Sequence, residues 1–93
     1  MIKSFKCKHT AAIFSGHEVR KFSWEIQLIA YRKLMQLEAA TTVDFLRVPP
    51  GNRLEKLTGN LQGRWSIRVN QQFRLCFKFE DGNAYEVEIV DYH

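Results

Sequence analysis

The amino-acid sequence predicts an α+β fold, in which a small antiparallel sheet has two N-terminal helices packed on one of its faces. Two patterns predict this class. The clearest helical periodicity of apolar residues lies in residues 23–40, and an alternation of apolar and polar residues, which is the period of a strand, runs through residues 63–90. With 93 residues the chain has the size of one domain, which we expect to span residues 1–93.

A first strand and a brief helix are predicted at the N-terminus. MIKSFKC is rich enough in β-branched and aromatic residues for a short strand, in which Phe5 is the residue most expected to be buried. HTAAIFS then fits a brief helix that ends at Gly16, because glycine readily adopts the left-handed backbone that closes a helix.

The segment from Ser23 to Ala40 is the clearest helix. Ser23 is a suitable N-cap, since its hydroxyl can accept a hydrogen bond from a backbone N–H of the first turn. The core-facing row has spacings of four and three and consists of Ile26, Ala30, Leu34 and Leu37. A second apolar row on the adjoining face consists of Trp24, Leu28, Tyr31 and Met35. We expect this second row to pack on the short first helix or, less commonly, to be covered by a partner protein.

A further helical turn is predicted in TTVDFLR, and the sequence PPG at residues 49–51 ends it. After this stop the period changes to two. In GRWSIRVN the apolar residues Trp65, Ile67 and Val69 point one way, and FRLCFKF repeats the alternation after a turn at residues 70–72. The dipeptide Asp81-Gly82 predicts a tight turn into the last strand. One sheet face is therefore expected under the helices, and the other, bearing four or more cations, towards solvent.

The charge is unevenly distributed along the chain. The net charge is +4, and the basic groups are concentrated in residues 1–21 and 53–78, whereas residues 80–91 carry five acids. Such a distribution favours a polyanionic partner. The alternative is that salt bridges on neighbouring strands cancel part of the field, among Arg68, Arg74, Glu86 and Glu88.

Several function classes are disfavoured by the sequence. No apolar run approaches the ~18 residues that span a bilayer, and MIKSFKCKH lacks the apolar stretch of a secretion signal, so we expect a cytoplasmic protein without a membrane partner. Cys7 and Cys76 form no Cys-x-x-Cys motif, so reduced thiols are the simplest interpretation. The three histidines, at 9, 17 and 93, lack metal-ligand spacing, so no metal or other cofactor is predicted.

The remaining classes are a basic binding module and an enzyme. The aromatic pair that stacks bases in RRM domains is absent from the predicted strand faces, and a single long helix disfavours a helix-turn-helix DNA reader. The chain ends in Asp91, Tyr92 and His93, at the end of a strand that should adjoin the strand carrying Arg74. Metal-free RNA cleavage needs a base for the 2′-OH, a cation at the phosphate and an acid for the departing 5′ oxygen. These residue types therefore fit a ribonuclease.

The motifs MIKSF, GNRLEKLTGN, GRWSIRVN, FRLCFKFEDGNAYEVE and the terminal DYH together resemble the HigB toxins of the RelE superfamily, over nearly the whole chain. The resemblance implies a small antiparallel sheet with two N-terminal helices, cleavage of mRNA in the ribosomal A site, and neutralisation by a HigA antitoxin with a helix-turn-helix. It also implies that Arg74 matches the family arginine on the scissile phosphate, and that Asp91, Tyr92 and His93 match the C-terminal active-site group.

One departure from the family pattern concerns proton transfer. Several HigB members have a histidine and a lysine where this chain has Glu55 and Thr58. Related toxins resembling YoeB use a glutamate as base and a terminal histidine as acid, which implies Glu55 as the base and His93 as the acid. The alternative is that Glu55 only pairs with Arg53 or Lys56 on the surface.

The phosphate contacts expected outside the catalytic group are those of Arg53, Lys56, Arg64 and Arg68. The predicted function is a ribosome-dependent mRNA endoribonuclease toxin. The alternative is a non-catalytic RNA-binding module, or an attenuated toxin that acts through complex formation and repression.

Overall fold

The computed structural model describes residues 1–58 and 63–91. In these ranges the α-helices are α1 (Lys8–Phe14) and α2 (Trp24–Ala39), and two 3-10 helices follow at Val43–Arg47 and Pro50–Asn52. The strands are β1 (Glu55–Lys56), β2 (Arg64–Arg68), β3 (Phe73–Glu80) and β4 (Asn83–Asp91), and they form one antiparallel sheet in the order β1-β2-β3-β4. The predicted α+β class, with two N-terminal helices and an antiparallel sheet, is confirmed.

Local sequence signals determine where both α-helices begin or end. Gly16 follows α1 with a φ of +84°, the left-handed conformation expected of the glycine after a helix. At the start of α2 the Ser23 Oγ accepts a hydrogen bond from the Ile26 backbone N–H at 3.2 Å, so the predicted N-cap is confirmed. Along α2 the side chains of Ala30, Leu34 and Leu37 are fully buried against the core, as the periodicity predicts.

Three of the four residues in the second apolar row of α2 stay exposed, and the fourth, Met35, is half-buried. Trp24 is 63% exposed, Leu28 40% and Tyr31 39%, and these three side chains line a groove of about 180 Å³ beside Ile13 and His17. The expectation that the first helix covers the row is wrong, because α1 has only 7 residues and reaches only one side of the groove. Coverage by a partner protein stays a prediction.

A buried asparagine ties the two 3-10 helices to α2. Asn52 is fully buried, and its Nδ2 donates to the Gln36 Oε1 at 3.0 Å and to the Leu46 carbonyl at 3.0 Å. Its Oδ1 accepts from the Lys33 Nζ at 2.5 Å, and burial lowers the pKa of Lys33. A buried amide with both ends hydrogen-bonded fixes the chain just before β1.

The N-terminal segment does not form the regular strand that was predicted. Residues 1–6 make two isolated parallel bridges to β4, Ile2 with Ala84 and Phe5 with Val87, rather than a regular strand. Between these bridges Glu86 has a φ of +52°, and its N–H donates to the Ser4 Oγ at 2.9 Å. This irregularity of β4, which shifts the register between Cys76 and Lys78, prevents a continuous ladder. Phe5 is half-buried and packs against the core.

The inner face of the sheet provides the rest of the core. Ile67 on β2, Leu75 and Phe77 on β3, and Val87 on β4 are fully buried. The predicted β3–β4 turn is confirmed, because Glu80 pairs with Asn83 and both Asp81 (φ +51°) and Gly82 (φ +80°) are left-handed, which suits a two-residue hairpin. Among the helices described in residues 1–58, none is long and apolar enough to cross a bilayer.

Candidate functional site

A polar cleft of about 230 Å³ lies at one end of the sheet, where β2 turns into β3. The segment that enters β1 contributes to one wall, the end of β2 and the start of β3 contribute to the floor, and the intervening turn closes the end. The side chains that line the cleft are Arg53, Glu55, Arg68, Asn70, Gln71 and Arg74. Four of the predicted site residues therefore come together here.

Arg74 is the buried cation of the cleft, with 8% exposure. Its Nε donates to the Ser66 Oγ at 2.8 Å, and its Nη2 donates to the Arg53 carbonyl at 2.6 Å and to the Ser66 carbonyl at 3.4 Å. The expectation that the cations of this face point freely to solvent is wrong for Arg74. The reason is that β1 pairs with β2 and brings the Arg53 carbonyl over the guanidinium, with Arg53 in the left-handed region at φ 44° and ψ 56°.

Arg68 lies directly opposite Arg74 in the β2–β3 register. The side chains of directly opposed residues in an antiparallel pair start about 5 Å apart, and like charges in such a pair destabilise the sheet. The Arg68 Nε donates to the Asn70 carbonyl at 3.2 Å, so the side chain is held over the turn. None of the ion pairs found in residues 1–58 and 63–91 involves Arg68, so the alternative in which a strand acid neutralises this residue is not observed there.

Glu55 lies beside Arg74 rather than beside its chain neighbours. The Glu55 Oε2 is 3.9 Å from the Arg74 Nη2, and 54% of the Glu55 side chain is exposed. The alternative pairing of Glu55 with Arg53 or Lys56 is not observed among the ion pairs of the described residues, because β1 aligns Glu55 with Ser66 on the Arg74 face. The Glu55 carboxylate therefore lies accessible in the cleft beside Arg74, and its role as a general base stays a prediction.

Lys56 and Arg64 do not join the cleft. Lys56 pairs with Trp65 in the register, and its Nζ lies 5.8 Å from the centroid of the Trp65 ring, on the face opposite to Glu55. Arg64 shares the face of Arg68 but lies four residues away, roughly 13 Å along the strand.

The side chain of Arg64 is engaged in a local ion pair. Its Nη2 is 3.1 Å from the Glu86 Oε1, with 13% of the Arg64 side chain exposed. The hydrogen bond from Arg64 and its positive charge lower the pKa of Glu86. The expected cross-strand salt bridges on this face therefore form, but Arg64 and Lys78 pair with Glu86, and Lys6 pairs with Glu88.

Asp91 is the last residue of β4 and pairs with Phe73, so the register places it on the face of Phe73 rather than that of Arg74. Its Oδ2 accepts a hydrogen bond from the Gln72 Nε2 at 3.2 Å. Tyr92 and His93 lie outside the described residues, and their predicted roles remain predictions.

The sequence analysis missed three residues at the cleft, namely Ser66, Asn70 and Gln71. Ser66 is fully buried beneath Arg74, and the alternation that placed it between Arg64 and Arg68 on the cationic face was a usable signal. Asn70 accepts from the backbone N–H of Gln72 at 2.8 Å and of Phe73 at 2.7 Å, which shapes the turn beside Gln71. Only the tertiary structure reveals that this turn closes the cleft.

Both cysteines are free thiols, and neither lines the cleft. Cys76 is buried on the polar face, and burial, with the nearby Glu88 charge, raises the pKa of its thiol. Within the described part of the chain, no group of three or more His, Cys, Asp or Glu side chains is arranged to hold a metal ion.

Residues 3–93 match the sequence profile of a family described as the RelE-like toxin of type II toxin-antitoxin system HigB. Toxin HigB-1 of Vibrio cholerae serotype O1 is 54% identical over 59 residues, which cover 63% of this chain and 62% of that protein, or less than two thirds of its length. Endoribonuclease HigB of Proteus vulgaris is 34% identical over 94 residues, which cover 100% of both chains.

Two solved structures share the fold. YafQ from E. coli superimposes with a TM-score of 0.63 at 15% identity, over 98% of this chain and 91% of that one. A chain of the heterotetrameric YoeB-YefM toxin-antitoxin complex from Staphylococcus aureus gives a TM-score of 0.64 at 18% identity, over 100% of this chain and 95% of that one.

Proposed function

Because this chain belongs to the RelE-like HigB toxins of type II toxin-antitoxin systems, we propose that it is an endoribonuclease that cuts mRNA in the ribosomal A site and thereby inhibits translation. One structural observation carries the chemical part of the proposal. Arg68 and Arg74 face each other across β2 and β3 in a cleft that also contains the accessible carboxylate of Glu55.

The facing arginines suit a phosphodiester group. The Arg53 and Asn70 carbonyls and the Ser66 hydroxyl are neutral acceptors, so they orient the two guanidinium groups without neutralising their charge. An anion bound between two like charges relieves their repulsion. At about 230 Å³ the cleft is smaller than the ~300 Å³ lower bound of drug-sized sites, which suits a phosphate with part of its ribose.

The proposed reaction needs no metal. Glu55 takes the proton of the 2′-OH, the 2′ oxygen forms a bond to phosphorus, and the bond from phosphorus to the 5′ oxygen breaks. Arg74 stabilises the charge that builds on the phosphate, with Arg68 beside it. His93 gives a proton to the departing 5′ oxygen, while Tyr92 stacks on a base or donates a hydrogen bond and Asp91 belongs to the same C-terminal group.

The other cations are proposed to position RNA. Arg53 borders the cleft and contacts the phosphate next to the one that is cut, while Arg68, which faces Arg74, helps to hold the cut phosphate itself. Lys56 and Arg64, which lie outside the cleft, contact more distant messenger or ribosomal phosphates.

The proposed partners are the ribosome, the messenger and a HigA-type helix-turn-helix antitoxin, all in the cytoplasm. Family membership supports an antitoxin partner. One structural neighbour was solved in a toxin-antitoxin complex, YoeB with YefM.

Primer extension on mRNA from cells expressing the chain tests the activity. Arg74→Ala is expected to lower cleavage by ~10²-fold or more, as the loss of an oriented transition-state donor does. Arg74→Lys should lose most of this activity too, because an ammonium cannot reproduce the two directed contacts of the guanidinium.

The matched control is Arg47→Ala, which removes an exposed arginine that pairs with Asp44. Circular dichroism should establish that each variant is folded. Undiminished cleavage by folded Arg74 variants removes Arg74 from the mechanism. An absence of cleavage by the wild type favours the alternative, a non-catalytic RNA-binding module or an attenuated toxin that acts through complex formation and repression.

A further inference from the structure

We infer that Ser66 is a positioning residue for the proposed cleavage, and that its hydroxyl holds the Arg74 guanidinium in the orientation that receives the phosphate. This inference rests on the proposed function. It concerns a fully buried residue whose side chain contacts the side chain of Arg74 and lies beneath the cleft.

The register explains why Arg74 needs such a partner. Arg74 faces Arg68 directly, whereas Ser66 faces Cys76 and is therefore a diagonal neighbour of Arg74. Diagonal neighbours in an antiparallel pair are separated by about 7–8 Å, a span that a long side chain can cross. The 2.8 Å bond from the Arg74 Nε to the Ser66 Oγ draws the guanidinium away from the like charge of Arg68 and towards β1.

A second acceptor fixes the plane of the guanidinium. The Arg53 carbonyl accepts from the Arg74 Nη2 at 2.6 Å, and its direction is set by the left-handed backbone of Arg53, whose N–H donates to the Pro50 carbonyl at 3.1 Å. A single contact leaves a planar group free to rotate about that contact, whereas two contacts at different nitrogens fix its orientation. Removing the Ser66 hydroxyl removes the contact at Nε but keeps the contacts of Nη2 to the Arg53 and Ser66 carbonyls, so the plane can tilt about that nitrogen.

An uncharged acceptor such as the Ser66 hydroxyl is suited to holding a guanidinium that must bind a phosphate. A carboxylate at position 66 would also hold the guanidinium, but it would cancel the positive charge that the phosphate must meet. The hydroxyl holds the group and leaves its charge in place, because serine carries none. Glu55, at 3.9 Å and half exposed, is too distant to replace this hydrogen bond.

The kinetic test is a double-mutant cycle in single-turnover cleavage of ribosome-bound mRNA. Ser66→Ala removes one oxygen atom and is expected to lower the rate of the chemical step by about 10- to 100-fold, in line with the effect of misplacing a catalytic group. In an Arg74→Lys background the same substitution should cause no further decrease, because the oriented guanidinium is already lost. An equal decrease in both backgrounds overturns the inference.

The matched control is Thr10→Val. Thr10 is also fully buried and its Oγ1 also accepts one hydrogen bond, from the Ile89 N–H at 3.0 Å, but it lies on α1 outside the cleft. This variant should cleave at the wild-type rate. A decrease equal to that of Ser66→Ala would show that any lost buried hydroxyl slows cleavage, and would overturn the inference.

A measurement that does not depend on cleavage distinguishes the positioning role of Ser66 from the proposed endoribonuclease function. Hydrogen exchange at the Arg74 Nε–H, followed by NMR, should be slow in the wild type and in Thr10→Val, and at least about 10-fold faster in Ser66→Ala, since the hydrogen bond protects this proton. Unchanged exchange in Ser66→Ala overturns the positioning role even if cleavage is real. Accelerated exchange together with no cleavage by the wild type instead overturns the proposed function, although Ser66 then still orients Arg74. Equal cleavage by the wild type and Arg74→Lys removes Arg74 from the mechanism and, with it, the role of Ser66 in catalysis.

Discussion

Glu55 makes a weak ion pair with Arg74. Replacing Glu55 should therefore change the free energy of unfolding little, while it should lower the cleavage rate strongly if Glu55 is the general base. The carboxylate is 54% exposed and 3.9 Å from the Arg74 Nη2, and exposed pairs of this kind contribute about 0–1 kcal/mol to the free energy of unfolding. General bases contribute far more to a reaction rate, typically ~10²- to 10⁴-fold.

Glu55→Gln keeps the shape of the side chain and removes its basicity. We expect single-turnover cleavage to fall by ~10²-fold or more, with ribosome binding and the free energy of unfolding nearly unchanged. Glu80→Gln, which changes an exposed glutamate at the end of β3, is the control. Cleavage by Glu55→Gln at the wild-type rate would assign the base to His93, Asp91 or Tyr92 instead.

At the scale of elements, Asn52 couples helix α2 to the entry of β1. Its amide joins Lys33 and Gln36 of α2 to the segment that ends in the left-handed Arg53. Asn52→Ala leaves the Gln36 Oε1 and the Leu46 carbonyl without this donor, and such losses cost about 1–3 kcal/mol each where the group is buried.

We therefore expect Asn52→Ala to lower the free energy of unfolding by about 1–3 kcal/mol, measured by urea denaturation. Asn83→Ala is the matched control, because its Nδ2 makes an exposed bond of 3.3 Å to the Asp81 carbonyl. Equal losses in the two variants would contradict the proposed coupling of α2 to β1.

The ion pair between Arg64 of β2 and Glu86 of β4 should make stability depend on pH. The hydrogen bond from Arg64 and its charge lower the pKa of Glu86 from its ordinary value of 4.5. A lowered folded-state pKa means that the unfolded chain binds more protons in acid, so the contribution is present above 4.5 and is lost as the pH falls through the folded-state pKa.

The expected result is that the difference in unfolding free energy between the wild type and Glu86→Gln shrinks as the pH falls from neutral to below 4.5. Urea denaturation at a series of pH values measures this difference. A difference that is independent of pH would show that the Arg64–Glu86 contact does not stabilise the ionised form.

Over the whole molecule, the cations around the cleft should govern the salt dependence of RNA binding. Arg68 lines the cleft, whereas Lys56 lies on the opposite face and Arg64 is engaged by Glu86. Arg68→Gln should therefore reduce the slope of log affinity against log salt by about one. Smaller reductions are expected for Lys56→Gln and Arg64→Gln.

Binding to a programmed ribosome, measured across a range of salt concentrations, tests this order. The control is Arg47→Gln, which removes an exposed cation of the first 3-10 helix that pairs with Asp44. An unchanged slope for Arg68→Gln, or the same reduction for Arg47→Gln, would contradict a phosphate site in the cleft.

The features that depend on a few neighbouring residues could be predicted from the sequence. Ser23 and Gly16 predicted a helix start and a helix end, and Asp81-Gly82 predicted the β3–β4 turn, because caps and tight turns depend on local backbone conformation. The alternation after residue 63 placed Arg68 and Arg74 on one face, because strand side chains alternate with a period of two.

How deeply that face is buried, and which groups meet on it, could not be predicted from the sequence. The Arg74 Nη2 reaches the carbonyl of Arg53, a contact across 21 positions of sequence, and β1 brings Glu55 to Arg74 while it turns Lys56 to the other face. The N-terminal strand was mispredicted because its partner β4 is irregular at Glu86, a residue whose positive φ no periodic pattern reveals. Contacts of this kind depend on the pairing of distant segments, which local propensity does not encode.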